Sequence, residues 1–250
     1  MRFPIKYGGI VIFMVVIAVL VSFTMAEEKG WKTIPPHELR QMMTADRKPV
    51  LINTMSFLEC ADHSIPGSLC MPAEEFERHL PRLPAEKDRP LIFYCESEVS
   101  YKSCEAADEA MKKGYTRVMV LEGGLPSWKR AGYETESTER IPREAVQSLK
   151  SHVLRQWLKE KRDFLIVDIR PEKMFKERHI EGAVNIPMYQ LHLRYRELPL
   201  NRLLILVDNR GFRTPLAASY LIRKGFEVKR LFGGMKKWEA LTARDMTAGK

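Results

Sequence analysis

Cysteine is scarce in this 250-residue chain and absent from its second half: Cys60, Cys70, Cys95 and Cys104 are the four. An even number permits disulfides but does not demand them, since two moderately sized units with real cores do not depend on cross-links, and spacing does not say which cysteines pair. Metal-ligand clusters are also lacking. Cys60 and His63 lie close together, yet no second ligand pair accompanies them, so they read as a core thiol and a loop imidazole, and neither a metal nor another cofactor is expected. No run of Lys and Arg interleaved with aromatics occurs and no nucleic-acid motif is present, so the formal charge of +9 does not point to nucleic acid. The chain has no Asn-x-Ser/Thr sequon, which, for an exported protein, favours a bacterial periplasm over a eukaryotic secretory route.

The positive charge is unevenly spread. Residues 27–138 carry 15 Lys and Arg against 19 Asp and Glu, a net of −4, whereas residues 139–250 carry 24 against 13, a net of +11. Two halves of opposite sign are expected to attract each other and form one compact unit. The remaining two charges, Arg2 and Lys6, precede the uncharged stretch from Tyr7 to Ala26. That arrangement reads as an export signal, with cleavage expected after Ala26, or as an uncleaved anchor through which alone the protein would touch a membrane.

The rest of the chain repeats itself. His37-Glu-Leu-Arg-Gln-Met-Met43 matches His152-Val-Leu-Arg-Gln-Trp-Leu158 at an offset of 115, which persists through Ile65 and Ile180 and through Pro72 and Pro187. The offset falls to 113 where Leu91-Ile-Phe-Tyr-Cys95 meets Leu204-Ile-Leu-Val-Asp208, and to 110 at Gly123-Gly124 and Gly233-Gly234. The duplication implies a segment 1–26 followed by domains over 27–138 and 139–250, joined in the polar stretch Glu134 to Arg140. In each copy short aliphatic runs (50–52, 91–94 and 118–121; 165–167, 203–207 and 228–231) alternate with helical patterns, which predicts α/β domains with mostly parallel strands flanked by helices. The helical patterns begin near Ser103 and Thr214, and Gly114 and Gly225 stop them.

Cys95 ends the run 91–94 just before a polar loop and a helix N-terminus. Converging backbone N–H groups and a helix dipole lower a thiol's pKa, and the thiolate is the form that attacks sulfur and carries it as a persulfide. The competing reading, a buried structural thiol, has the general preference of cysteine for the interior behind it.

The stretch His179-Ile-Glu-Gly-Ala-Val-Asn-Ile-Pro187, the preceding Asp168-Ile-Arg170, the loop Asp208-Asn-Arg-Gly-Phe-Arg213 and the ending Leu231-Phe-Gly-Gly-Met-Lys-Lys-Trp238 resemble rhodanese domains, and the motifs recur in order in both copies. The resemblance implies a tandem sulfurtransferase of the exported type: a loop cysteine, here Cys95, takes sulfane sulfur from a donor and passes it to a thiol acceptor, small molecule or protein. It implies a substrate loop of Glu96, Ser97, Glu98, Val99, Ser100, Tyr101, Lys102 and Ser103. With Ser103, Ala106 and Ala107 this loop is similar to the longer type of some exported rhodaneses. The second copy keeps Gly211 and Arg213 where the family has them but places Asp208 at the cysteine position, so it is expected to be a pseudo-site that stabilises, docks or gates the first, with Asp208 solvated or paired to an arginine. In the first copy Asn53 and Met55 replace the Asp168-x-Arg170 pair and Ser64 stands for His179. Glu96 and Glu98 beside the thiol oppose a dianionic donor such as thiosulfate, with Lys102 as one compensating charge. Rhodanese folds also resemble dual-specificity phosphatases, whose Cys-x5-Arg loop is missing here. The alternative to sulfur transfer is a non-catalytic or redox-only docking protein in which Cys95 pairs with Cys104.

Overall fold

A computed structural model describes residues 30–96 and 101–248. The segment 1–26, read above as signal or anchor, lies outside them, and among the described residues no helix is long and apolar enough to cross a membrane.

The first copy runs β1 (Lys32–Ile34), α1 (Pro36–Met43), β2 (Val50–Asn53), α2 (Phe57–Asp62), β3 (Leu69–Cys70), α3 (Phe76–His79), β4 (Leu91–Tyr94), α4 (Tyr101–Lys112), β5 (Val118–Leu121) and α5 (Gly124–Arg130). The second follows as β6 (Ser148–Leu149), α6 (Ser151–Lys159), β7 (Leu165–Asp168), α7 (Glu172–Glu177), β8 (Val184–Asn185), α8 (Leu191–Arg194), β9 (Leu204–Val207), α9 (Thr214–Arg223), β10 (Val228–Leu231) and α10 (Gly234–Ala248). Each copy folds into a five-stranded sheet, β1-β5-β4-β2-β3 and β6-β10-β9-β7-β8, with every strand pair parallel. The expected architecture of two parallel α/β domains is the one observed.

Parallel strands covered by helices on both faces need apolar side chains on both, and the central strands have them: all four residues of β4 and all four of β9 are buried. Alternation sends Ile52, Leu91 and Phe93 to one face of the first sheet, where Ala106, Ala107 and Ala110 let α4 approach closely. Leu51, Ile92 and Tyr94 go to the other face, against Leu39, Leu125 and Trp128. Helix α9 ends at Arg223 with Lys224 as its cap, and Gly225, the expected stop, follows with φ +92°.

The copies are joined through α2. Ser56 and Glu59 form a reciprocal capping box at its start, so its entry angle is set locally. The helix then serves both domains: Leu58 is buried in the core of the second, beside Ile141, Leu216 and Tyr220, while Cys60 packs into the first. The carboxylate of Asp62 accepts from the Ile141 N–H at 3.0 Å and from Arg143 at 2.8 Å. Phe57 packs on His192 of the second copy with ring centroids 4.9 Å apart. The polar stretch 134–140 is laid along the first domain, with Ser64 bridged to Glu136 and the Thr138 and Glu139 N–H groups donating to the Ala61 carbonyl.

Because Leu58 fills the neighbouring domain's core, Leu58→Ala is expected to destabilise the protein by about 2–4 kcal/mol and to lower the unfolding transitions of both domains together. Urea unfolding followed by hydrogen exchange of β4 and β9 checks this; loss of protection in the first domain alone contradicts it.

Candidate active site

The two strand-to-helix loops occupy equivalent positions. The Leu125 N–H donates to the Cys95 carbonyl at 2.9 Å, and the Met235 N–H to the Asp208 carbonyl at 2.8 Å, so each strand end is tied to the helix behind its Gly-Gly pair. A Cβ on Gly234 would lie 2.8 Å from the Asp208 carboxylate and closer still to its carbonyl, which is why that helix opens with glycine.

In the second loop the carboxylate of Asp208 folds back under its own backbone. It accepts from the N–H groups of Gly211, Arg213 (2.7 Å) and Thr214 (3.1 Å), at the positive end of α9. Contrary to the expectation from sequence, Asp208 is neither solvated nor paired with an arginine side chain; it is 4% exposed and its carboxylate is occupied by backbone donors. The physical reason is reach, since a carboxylate oxygen two bonds from Cβ meets the converging N–H groups directly. Gly211, at φ +85°, permits the turn.

In the first loop Cys95 is buried and lies on the sheet face of Ile92 and Tyr94. Ser103 comes from the first turn of α4, which begins at Tyr101, two residues before it, and its hydroxyl donates to the Cys95 Sγ at 3.7 Å. Ser97, Glu98, Val99, Ser100 and the Tyr101 side chain lie outside the described residues. Glu96 is brought next to Lys102, with 4.0 Å between charged atoms. Lys102 is closer to Glu74, at 3.0 Å, so the cation expected to compensate the loop carboxylates is shared with an acid that sequence reasoning missed.

Glu59 was missed as well. Arg213 sends its backbone N–H to Asp208, but its guanidinium leaves its own loop and crosses to the first domain, where Nε and Nη2 donate to the two oxygens of Glu59. Burial pushes the Glu59 carboxyl up; the charge and hydrogen bonds of Arg213, with Lys102 and Ser56 behind them, more than reverse this and bring it from 4.5 to about 2. Glu96 and Glu74 also act on Arg213 and, with Glu59, raise its pKa against burial. The Ser56-x-x-Glu59 pattern marks a helix start; nothing in it marks a partner 154 residues away.

The shell under each loop differs as the substitutions predict. Arg170 forks onto Asp168 and donates to the Arg178 carbonyl. Asn53 replaces this charged pair with a neutral chain, accepting from the Met55 N–H at 3.1 Å and donating to Ser64 at 2.9 Å, which donates to the Cys60 carbonyl.

One cysteine expectation needs correction, and the alternative pairing is not found. Cys60 is not a core thiol, since it is joined to Cys70 in a disulfide between α2 and β3. Cys95 and Cys104 are not joined to each other, because Cys104 packs with the core on the opposite sheet face. Among the described residues no group of three or more His, Cys, Asp or Glu is placed to hold a metal ion.

A family model described as a rhodanese-like domain matches residues 35–131 and again 151–241. A sulfurtransferase of Allochromatium vinosum is 32% identical over 94 residues, 37% of this chain and 88% of that protein. A thiosulfate sulfurtransferase of Coxiella burnetii is 30% identical over 91 residues, 36% of this chain and 85% of its own length. Among solved structures, a thiosulfate sulfurtransferase from Pseudomonas aeruginosa aligns with 82% of this chain at 22% identity and a TM-score of 0.42, and the chain covers 44% of it.

Glu59 stabilises the fold in its ionised form, so its contribution is complete above pH 4.5 and is lost as the pH falls from there towards about 2. Arg213→Ala, which strands that carboxylate in a largely buried place, is expected to cost about 3 kcal/mol at neutral pH and to flatten the acid limb. Denaturation at several pH values checks it; an unchanged acid limb contradicts the pairing.

Proposed function

Since this chain belongs to the rhodanese-like domain family, with two such domains in tandem, we propose that it transfers sulfane sulfur through a persulfide on Cys95 to a thiol acceptor. The observation that carries the reading is the equivalence of Cys95 and Asp208. Asp208 puts a carboxylate oxygen two bonds from Cβ into a ring of backbone N–H groups; the outer sulfur of a cysteine persulfide is also two bonds from Cβ and also anionic. The second domain thus holds permanently the kind of group that the first domain would hold in turnover.

In the first half of the cycle the Cys95 thiolate attacks the outer sulfur of the donor. The donor's S–S bond breaks, and its electron pair leaves with the remainder: sulfite from thiosulfate, a thiolate from a persulfide. In the second half the acceptor thiolate attacks the outer sulfur on Cys95 and the Cys95 thiolate departs. The Ser103 hydroxyl, already on Sγ, supports the thiolate at both stages. A groove of about 460 Å³ between Glu74, Lys102 and Glu105 of the first domain and Met174 and Glu177 of the second lies next to this loop and suits an approaching acceptor.

The Cys60–Cys70 disulfide supports placing the protein in an oxidising compartment, in keeping with the export segment, the periplasm being the compartment proposed. The second domain is proposed to carry no sulfur, because a carboxylate forms no persulfide.

Cys95→Ser is expected to abolish sulfur transfer, and Cys104→Ser to leave most of it. Asp208→Cys is expected to create weak transfer at the second loop, because the shorter side chain vacates the N–H ring for an outer sulfur. Rates of transfer from thiosulfate or a hydropersulfide to cyanide or a thiol, measured on the purified variants, check this. Undiminished turnover by Cys95→Ser contradicts the reading.

A further inference from the structure

The guanidinium that the second loop could turn on a ligand is spent elsewhere. Arg213 stands at the end of a loop already filled by Asp208, and its side chain forks onto Glu59 of the first domain. Glu59 is fixed from both sides, since the Ser56 N–H and hydroxyl also donate to it. The pair is largely buried, with 20% of the Arg213 side chain and 10% of the Glu59 side chain exposed. Cys60, the neighbour of Glu59 in α2, packs in the same core as Cys95. Glu96, the residue after Cys95, lies 4.0 Å from Lys102, which Glu74 holds at 3.0 Å. Among the described residues, Arg213 and Lys102 are both engaged by carboxylates, Arg213 by Glu59 and Lys102 by Glu74 and Glu96, and Glu105 lines the groove beside Lys102.

Resting on the proposed role of Cys95, we infer that Glu59 is a specificity-determining residue: by engaging Arg213 it withholds a guanidinium from the donor, so the site disfavours dianionic donors and takes hydropersulfides whose only ionisable group is the sulfur itself. The chemistry of the step is the same for both donors. The Cys95 thiolate attacks the outer sulfur, the S–S bond breaks, and its electron pair leaves as a thiolate from RS–SH or as sulfite from thiosulfate. The difference is electrostatic. Thiosulfate must bring two negative charges and three oxygens against carboxylates whose neighbouring guanidinium is engaged by Glu59, whereas a hydropersulfide brings at most one charge, on its sulfur, and no oxygens to seat.

The test compares thiosulfate with an alkyl hydropersulfide bearing no other charge, using the full chain, a common acceptor, and Cys95→Ser as the control for turnover at this site. Glu59→Gln releases the guanidinium and is expected to raise the preference for thiosulfate over hydropersulfide, as a ratio of kcat/KM, on the order of tenfold, with the change carried by the KM for thiosulfate. The double variant Glu59→Gln with Arg213→Gln is expected to lose that gain. In the unaltered protein, added inert salt is expected to lower the KM for thiosulfate by screening the repulsion, and to lower that for the hydropersulfide less; this arm needs no variant to fold. An unchanged donor ratio in Glu59→Gln, an equal loss for both donors, or a thiosulfate KM that rises with salt overturns the inference. Hydropersulfide turnover that survives Cys95→Ser instead overturns the reading on which it rests.

Discussion

Where a parallel strand ends and the chain turns into a helix, several backbone N–H groups point to one spot, and burying them there requires an acceptor, for which an anion is favoured. Asp208 meets this requirement in the second domain with its own side chain, and the consequences extend well beyond the loop. Once the carboxylate is seated, the loop is closed to an anion and the Arg213 side chain is not needed there. The arginine is then available to the other domain, where it neutralises Glu59 and ties the second loop to the base of the first.

The first domain shows the complementary solution. A sulfur stands at the strand end, a serine hydroxyl rests on it, and the charged Asp168–Arg170 support is replaced by the neutral chain from Asn53 to Ser64. The neutral chain keeps the same backbone turn, since Asn53 accepts from the Met55 N–H as Asp168 does from the Arg170 N–H, without adding another buried ion pair to the domain. Helix α2 gathers the rest: Leu58, Glu59, Cys60 and Asp62 face in turn the second core, Arg213, the disulfide and the linker.

Much of this was legible in the sequence because it is local or repeated. The run 91–94 matches β4, the run 203–207 overruns β9 by one residue at its start, Gly114 and Gly225 follow the helices they are expected to stop, and the internal offset aligns Cys95 with Asp208. What escaped was long-range pairing. The Glu59–Arg213 contact spans 154 positions and follows from how two sheets dock, which no periodicity encodes. The Cys60–Cys70 link joins a helix to an edge strand, and four cysteines gave no geometric reason to prefer it. Asp208 was identified as the replaced nucleophile, but its partners were misjudged, because backbone donors leave no mark in side-chain spelling.

The central claim is that Cys95, at the position where Asp208 offers its carboxylate, carries sulfur as a persulfide. The measurement that bears on it most directly is mass analysis of the intact protein and its peptides after brief exposure to a hydropersulfide, before and after addition of an acceptor thiol. The account predicts one added sulfur atom on the peptide containing Cys95, removed by the acceptor, with Cys60 and Cys70 still joined. An added sulfur on Cys104 instead, or a Cys95 that remains unmodified while sulfur is turned over, would contradict it.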